Sequence, residues 1–194
     1  MSIGVVVMAY GTPASAADLT AYYTHIRRGR PPTDEQLAEL RSRYDAIGGV
    51  SPLRRITEAQ RDGIADALGS DHRVELGFKH TPPFIEDAVG SLTASGVSGV
   101  VGVVLAPHDS RGSIGEYVAR LGPEAKAIRS WHDLPEWRAF QAGAVQDALA
   151  SMPARTCVVF TAHSLPERVL EDDVYEDELQ TSASAIAALA RLDR

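Results

Sequence analysis

The sequence predicts an α/β protein built on an open, doubly wound parallel sheet. Three observations carry that expectation: short β-rich runs that are apolar almost throughout, helical patterns between them, and proline-marked turns directly after four of the runs. A strand wetted on one face alternates polar and apolar residues, whereas one covered on both faces stays apolar, as most of these runs do. In chain order the first strand is "IGVVVMA" (3–9), followed by helical patterns over 15–28 and 34–46. A helix over 52–68 is marked by Ser51 as N-cap, Pro52 at the first helical position and Gly69 just past the end, with Leu53, Ile56, Ile64 and Leu68 on one stripe. Then come a strand "HRVELGF" (72–78), a helix over 84–95, and strands "GVVGVVLA" (99–106) and "KAIRSW" (126–131). A helix over 135–150, a fifth strand "TCVVFTA" (156–162) and a helix over 175–192, with Leu179, Ile186 and Leu189 on one face, complete the pattern.

Composition bounds the class of protein. A chain of 194 residues that is 44% hydrophobic can bury a substantial core. No apolar run approaches the roughly 20 residues of a membrane span, and "MSIGVVVMAYG" lacks the basic region and long apolar segment of a signal peptide, so the expected location is cytoplasmic. Cys157 is the only cysteine, which excludes an intrachain disulfide and an iron–sulfur cluster held by several cysteines of this chain. A net charge of −7 argues against a general nucleic-acid binder.

Sheets of this kind bind ligands beyond the carboxyl ends of their strands. Those positions read "AYGTP" (9–13), "KHTPP" (79–83), "APHDS" (106–110) and "AHSLP" (162–166), so three of them carry histidine: His80, His108 and His163. Each is a candidate for one shared crevice, and each is equally able to satisfy a local backbone group. "VVVMAYGTP" (5–13) and "CVVFTAHSLP" (157–166) also echo one another, which marks the first and fifth strands as equivalent positions in two copies of one α/β unit.

The stretches "VMAYGTP", "YYTHIRRGR", "SRYDAIGGVSPL", "FKHTPPFIEDAV", "VLAPH" and "TAHSLPERV" resemble, in the same order, the ferrochelatases, especially those of the coproporphyrin type. The resemblance implies a chelatase-like doubly wound sheet, with one complete unit and the start of a second: an N-terminal domain over 1–134, a connecting helix over 135–154 and a first β-α unit over 155–194. It also implies insertion of Fe(II), as a substrate metal, into a porphyrin in heme biosynthesis, a lyase reaction. By the same resemblance His163 is base and metal ligand, Tyr10 faces the opposite side of the macrocycle, and Arg27, Arg43, Tyr44, Ser51 and Tyr117 contact the porphyrin.

The residues fit that chemistry on their own terms. Metal insertion removes two protons from pyrrole nitrogens, and a neutral imidazole serves as base or as Fe(II) ligand. Arg27, Arg28 and Arg30 read either as a solvated helix end or as carboxylate binders, and a coproporphyrin offers four propionates. Gly48 and Gly49 allow a sharp turn after Arg43 and Tyr44, while Ser51 reads equally as a helix cap. The family's second metal-site residue, a later glutamate, has no counterpart before Arg194, and the acidic run at 171–178 reads as a helix start. The expectation is therefore weak or absent turnover by these 194 residues alone, with self-association or a partner chain completing the second half. A noncatalytic porphyrin or metal binder is the alternative, and a nucleotide-binding domain is the weakest reading because no glycine-rich phosphate loop is present.

Overall fold

The computed structural model describes residues 2–192. Four strands, β1 (Ile3–Ala9), β2 (His72–Phe78), β3 (Val100–Val104) and β4 (Lys126–Ile128), form one sheet in the order β2-β1-β3-β4, with every pairing parallel. The first connection runs to one side of β1 and the later strands lie on the other, so β1 stands at the point where the winding reverses.

Helices cover both faces, which is why β1 is apolar at nearly every position. Val5, Val7 and Ala9 pack with Leu76 and Phe78 beneath Ile64 of α3 (Leu53–Leu68). On the opposite face a Cβ on Gly4 would meet Leu92 of α4 (Ile85–Ala94), and a Cβ on Gly77 would stand 2.8 Å from the Ile85 Cα, so the first turn of α4 lies directly on β2. Val6, Val7 and Met8 are completely buried between these layers. This is the doubly wound parallel sheet that the sequence pattern predicts.

The remaining helices are α1 (Leu19–Ile26), entered through a short 3-10 turn (Ala16–Asp18), α2 (Asp34–Ala46), α5 (Ile114–Leu121), α6 (Pro135–Ala150), α7 (Glu167–Leu170) and α8 (Tyr175–Leu189). The chain divides into two units, one of Met1–Leu105 with Tyr117–Ile128, the other of Ala106–Glu116 with Arg129–Arg194. In the second unit Ala142 on α6 packs with Ile186 on α8 and Ala190 just beyond it, flanked by Trp137 and Val145.

Several boundaries differ from the sequence reading. The pattern over 15–28 ends earlier as a helix, because Arg28 takes a left-handed φ of 56° and the Gly29 N–H donates back to the Thr24 carbonyl at 2.9 Å. The helix expected from Pro52 begins one residue later, and the Ser51 hydroxyl accepts the Leu53 N–H at 3.2 Å. The largest correction is the fifth strand: residues 156–162 form no strand, and none of their backbone groups enters a ladder among the described residues. An apolar run needs a neighbour for its N–H and C=O groups before it becomes a strand. Without one Val159 stays 74% exposed and Phe160 42%. The helix expected to reach 192 ends at Leu189, with Ala190 and Arg191 in the turn that follows.

Candidate functional site

The first unit builds its site where β1 and β2 end. Their pairing continues past the strands, as the Lys79 N–H donates to the Ala9 carbonyl (2.9 Å) and the His80 N–H to the Tyr10 carbonyl (3.0 Å). Gly11 then turns the chain with a φ of +87°, and a Cβ there would stand 2.6 Å from Thr81 Oγ1 and 2.9 Å from the Phe78 Cβ, so only glycine allows "AYGTP" and "KHTPP" to meet this closely. Tyr10, 42% exposed, consequently lies beside His80 with ring centres 4.5 Å apart. The buried Lys79 holds its ammonium 5.9 Å from the Tyr10 ring centre and 5.1 Å from that of Tyr117, which is itself buried.

Neighbouring helices fix this loop. Arg120 of α5 makes a two-pronged pair with Glu86 (2.7 and 2.9 Å) and also donates to the Lys79 carbonyl. Burial would raise the Glu86 pKa, but the Arg120 hydrogen bonds and charge outweigh it and hold the carboxyl below its ordinary range. Tyr44 of α2 hydrogen-bonds Thr12 at 3.0 Å through its hydroxyl. Burial, then the neighbouring Tyr44 and Tyr10 phenols, pushes the Tyr22 phenol far above its usual pKa. Pro13, Tyr22, His25, Arg54, His80 and Phe84 are among the residues lining a largely apolar cavity of about 600 Å³.

Arg27, partly exposed, follows α1, donates from Nε to the Arg30 carbonyl (3.2 Å) and lies 5.6 Å from the Tyr23 ring centre. Arg43 is exposed on α2 and pairs with Glu39 one turn away. Both Gly48 and Gly49 adopt positive φ (92° and 88°), forming the sharp turn expected after Tyr44. Ser51, expected as the N-cap, lies one residue before it, since Pro52 holds that position, and its hydroxyl accepts the Leu53 N–H.

The second unit holds the other two strand-end histidines, and each has its own partners. His163 is exposed, and its carbonyl accepts the Tyr175 hydroxyl at 3.2 Å. His108 bonds Ser182 through Nε2 at 2.9 Å; burial first, then His132, lowers its pKa against the opposing charge of Glu178. Glu178 collects the Asp109 N–H (2.7 Å) and the Ser130 hydroxyl (2.9 Å), and Arg129 grips Asp109 with two bonds of 2.9 and 3.0 Å. The acidic residues Asp173 and Glu178 thus serve loop and helix-start contacts, Asp173 accepting the Arg111 N–H at 2.7 Å. No group of three or more metal-capable side chains stands together among the described residues.

The sequence reading did not single out His25, Lys79 or Arg120. His25 and Lys79 lie inside the quoted stretches "YYTHIRRGR" and "FKHTPP", which was the available signal, whereas Arg120 has none because its partners are distant in sequence.

The chain matches the ferrochelatase family model over residues 2–194. It belongs to the ferrochelatase family. It is 41% identical over 206 aligned residues to coproporphyrin III ferrochelatase 2 of Bacillus cereus, covering 98% of this chain and 65% of that protein. It is 42% identical over 203 residues to the coproporphyrin III ferrochelatase of Anoxybacillus flavithermus (95% and 64%) and 41% identical over 203 to that of Bacillus subtilis (95% and 66%). The chain therefore spans about 65% of the length of the first of these relatives. Among the described residues no helix is long and apolar enough to cross a membrane.

Proposed function

We propose that this chain acts in inserting Fe(II) into coproporphyrin III, the lyase step of heme biosynthesis. The observation that carries the reading is its 41% identity to a coproporphyrin III ferrochelatase over 98% of its own length. Arg27 and Arg43 bind propionates through charge-assisted hydrogen bonds, and Tyr10 packs on the macrocycle, with Tyr44, Ser51 and Tyr117 as further porphyrin contacts. His163, exposed on the second unit, takes a pyrrole proton as a neutral imidazole and offers a nitrogen to the incoming metal. The reaction is cytoplasmic in this reading.

Relatives of this kind are longer than 194 residues, and a single imidazole gives Fe(II) few ligands. The isolated chain is proposed to bind porphyrin but to insert metal slowly, with self-association or a partner chain supplying the rest of the site. An anaerobic assay of Fe(II) or Zn(II) insertion tests this. Slow turnover that rises when the C-terminal third of a longer relative is added, and that His163→Ala abolishes, is expected. Turnover unaffected by His163→Ala would overturn the assignment.

A further inference from the structure

Within the first unit two imidazoles meet directly. His25, in the last turn of α1, and His80, just past β2, hold their Nδ1 atoms 3.0 Å apart, with ring centres at 5.2 Å in an edge-to-face arrangement. Two facing lone pairs repel, and so do two facing N–H groups, so a contact of this length holds one proton. His25 is fixed from its other side by Phe84, stacked at 5.1 Å, and His80 by Tyr10. The pair is therefore a positioned unit rather than two mobile side chains.

The surroundings of that unit carry charges of both signs. Arg54 and Asp18 share the cavity wall with both rings, and Tyr22 adds a neutral phenol. Lys79 lies over the Tyr10 ring, and Arg120 is already matched to Glu86. Three cations thus stand among three carboxylates, with Arg120 paired to Glu86 and Arg54 to Glu58. Burial first, and then the Arg120 charge, lowers the His25 pKa, with Glu86 opposing. A neutral pair can gain one proton and keep its internal hydrogen bond, while a second would break it.

We propose that His25 and His80 share a single proton between their Nδ1 atoms, and that this pair takes up one of the two protons a porphyrin releases beside Tyr10; the second half of the proposal rests on the porphyrin reading above. In the step, a pyrrole N–H bond breaks and its electron pair stays on nitrogen for the incoming Fe(II). The proton bonds to His80 Nε2, the proton on His80 Nδ1 passes to His25 Nδ1, and the proton on His25 Nε2 leaves to solvent through the cavity. His80 is then the group that touches the substrate, and His25 is a positioning residue.

Two-bond ¹H–¹⁵N spectra of the imidazoles in the 194-residue chain decide the first half. The expected result is opposite Nδ1 states for the two rings at neutral pH and a single joint titration, with His25→Phe leaving His80 to titrate alone. Two Nδ1 atoms both bare, or two independent titrations, would overturn the sharing. Zn(II) insertion, measured with the completing segment present, decides the second half. His25→Asn, which keeps a donor toward His80 but cannot receive its proton, is expected to slow insertion by at least ~10-fold and shift the acid limb of the pH–rate profile, with porphyrin Kd changed less than about twofold. An unchanged rate and profile in His25→Asn would overturn the role of the pair and leave the porphyrin reading intact. No porphyrin binding by the wild-type chain, alongside a paired spectrum, would instead overturn the porphyrin reading and the use of the pair in it, while the shared proton would stand.

Discussion

Two apolar runs of similar composition meet different fates in this molecule. Val5 to Met8 form the middle of a sheet, paired on both sides, and Val6, Val7 and Met8 have no exposed surface. Residues 157–162 carry the same kind of sequence, yet they join no ladder among the described residues, and Val159 and Phe160 remain open to solvent. The difference teaches that an apolar run specifies what a segment is able to bury, while its neighbours decide whether it does. Each large apolar side chain buried is worth about 1.5–3 kcal/mol, so the second run forgoes stabilisation that the first collects.

Stability measurements should split along that line. Phe78→Ala, which empties a fully buried site under α3, is expected to cost about 3–5 kcal/mol in urea unfolding, whereas Phe160→Ala costs under about 1 kcal/mol. Equal losses at the two positions would mean that the second run is packed in solution. Gly11→Ala comes next, because a Cβ there both strains a φ of +87° and strikes Thr81 and Phe78; a loss of about 1–3 kcal/mol is expected in the same assay.

A smaller effect follows from the histidines. His25 and His108 both have folded-state pKa values below their ordinary 6.5, so as pH falls through 6.5 the unfolded chain takes up protons that the folded chain refuses. Stability is therefore full above that value and declines on the acid side, and Tm should fall between about pH 7.5 and 5.5. His108→Gln is expected to flatten that decline while leaving the contribution of His25. A Tm that rises on acidification across this window would contradict the burial of these rings.

The comparison also explains how much the sequence made legible. β1 and β2 fall on their expected residues, as do α2 and α6, because their periodicities agree with their surroundings. Residues 156–162 had strand-like residues without a strand's neighbours, and the composition of one segment carries no information about its partner. The site divides in the same way. Tyr10, Arg27, Arg43, Tyr44, Ser51, Tyr117 and His163 were visible as motif positions, and Gly48 and Gly49 as turn positions. The pairing of His25 with His80, and the Arg120 clamp on the loop after β2, join residues 55 and 41 positions apart, so only the fold reveals them.

The most direct test of the central claim is an absorbance titration of coproporphyrin III with the wild-type chain and two arginine variants. The account predicts a Soret shift at micromolar porphyrin, affinity that weakens as salt rises, and a larger loss for Arg27→Ala than for Arg30→Ala. A wild-type chain that produces no shift, or binding unaffected by Arg27→Ala, would contradict it.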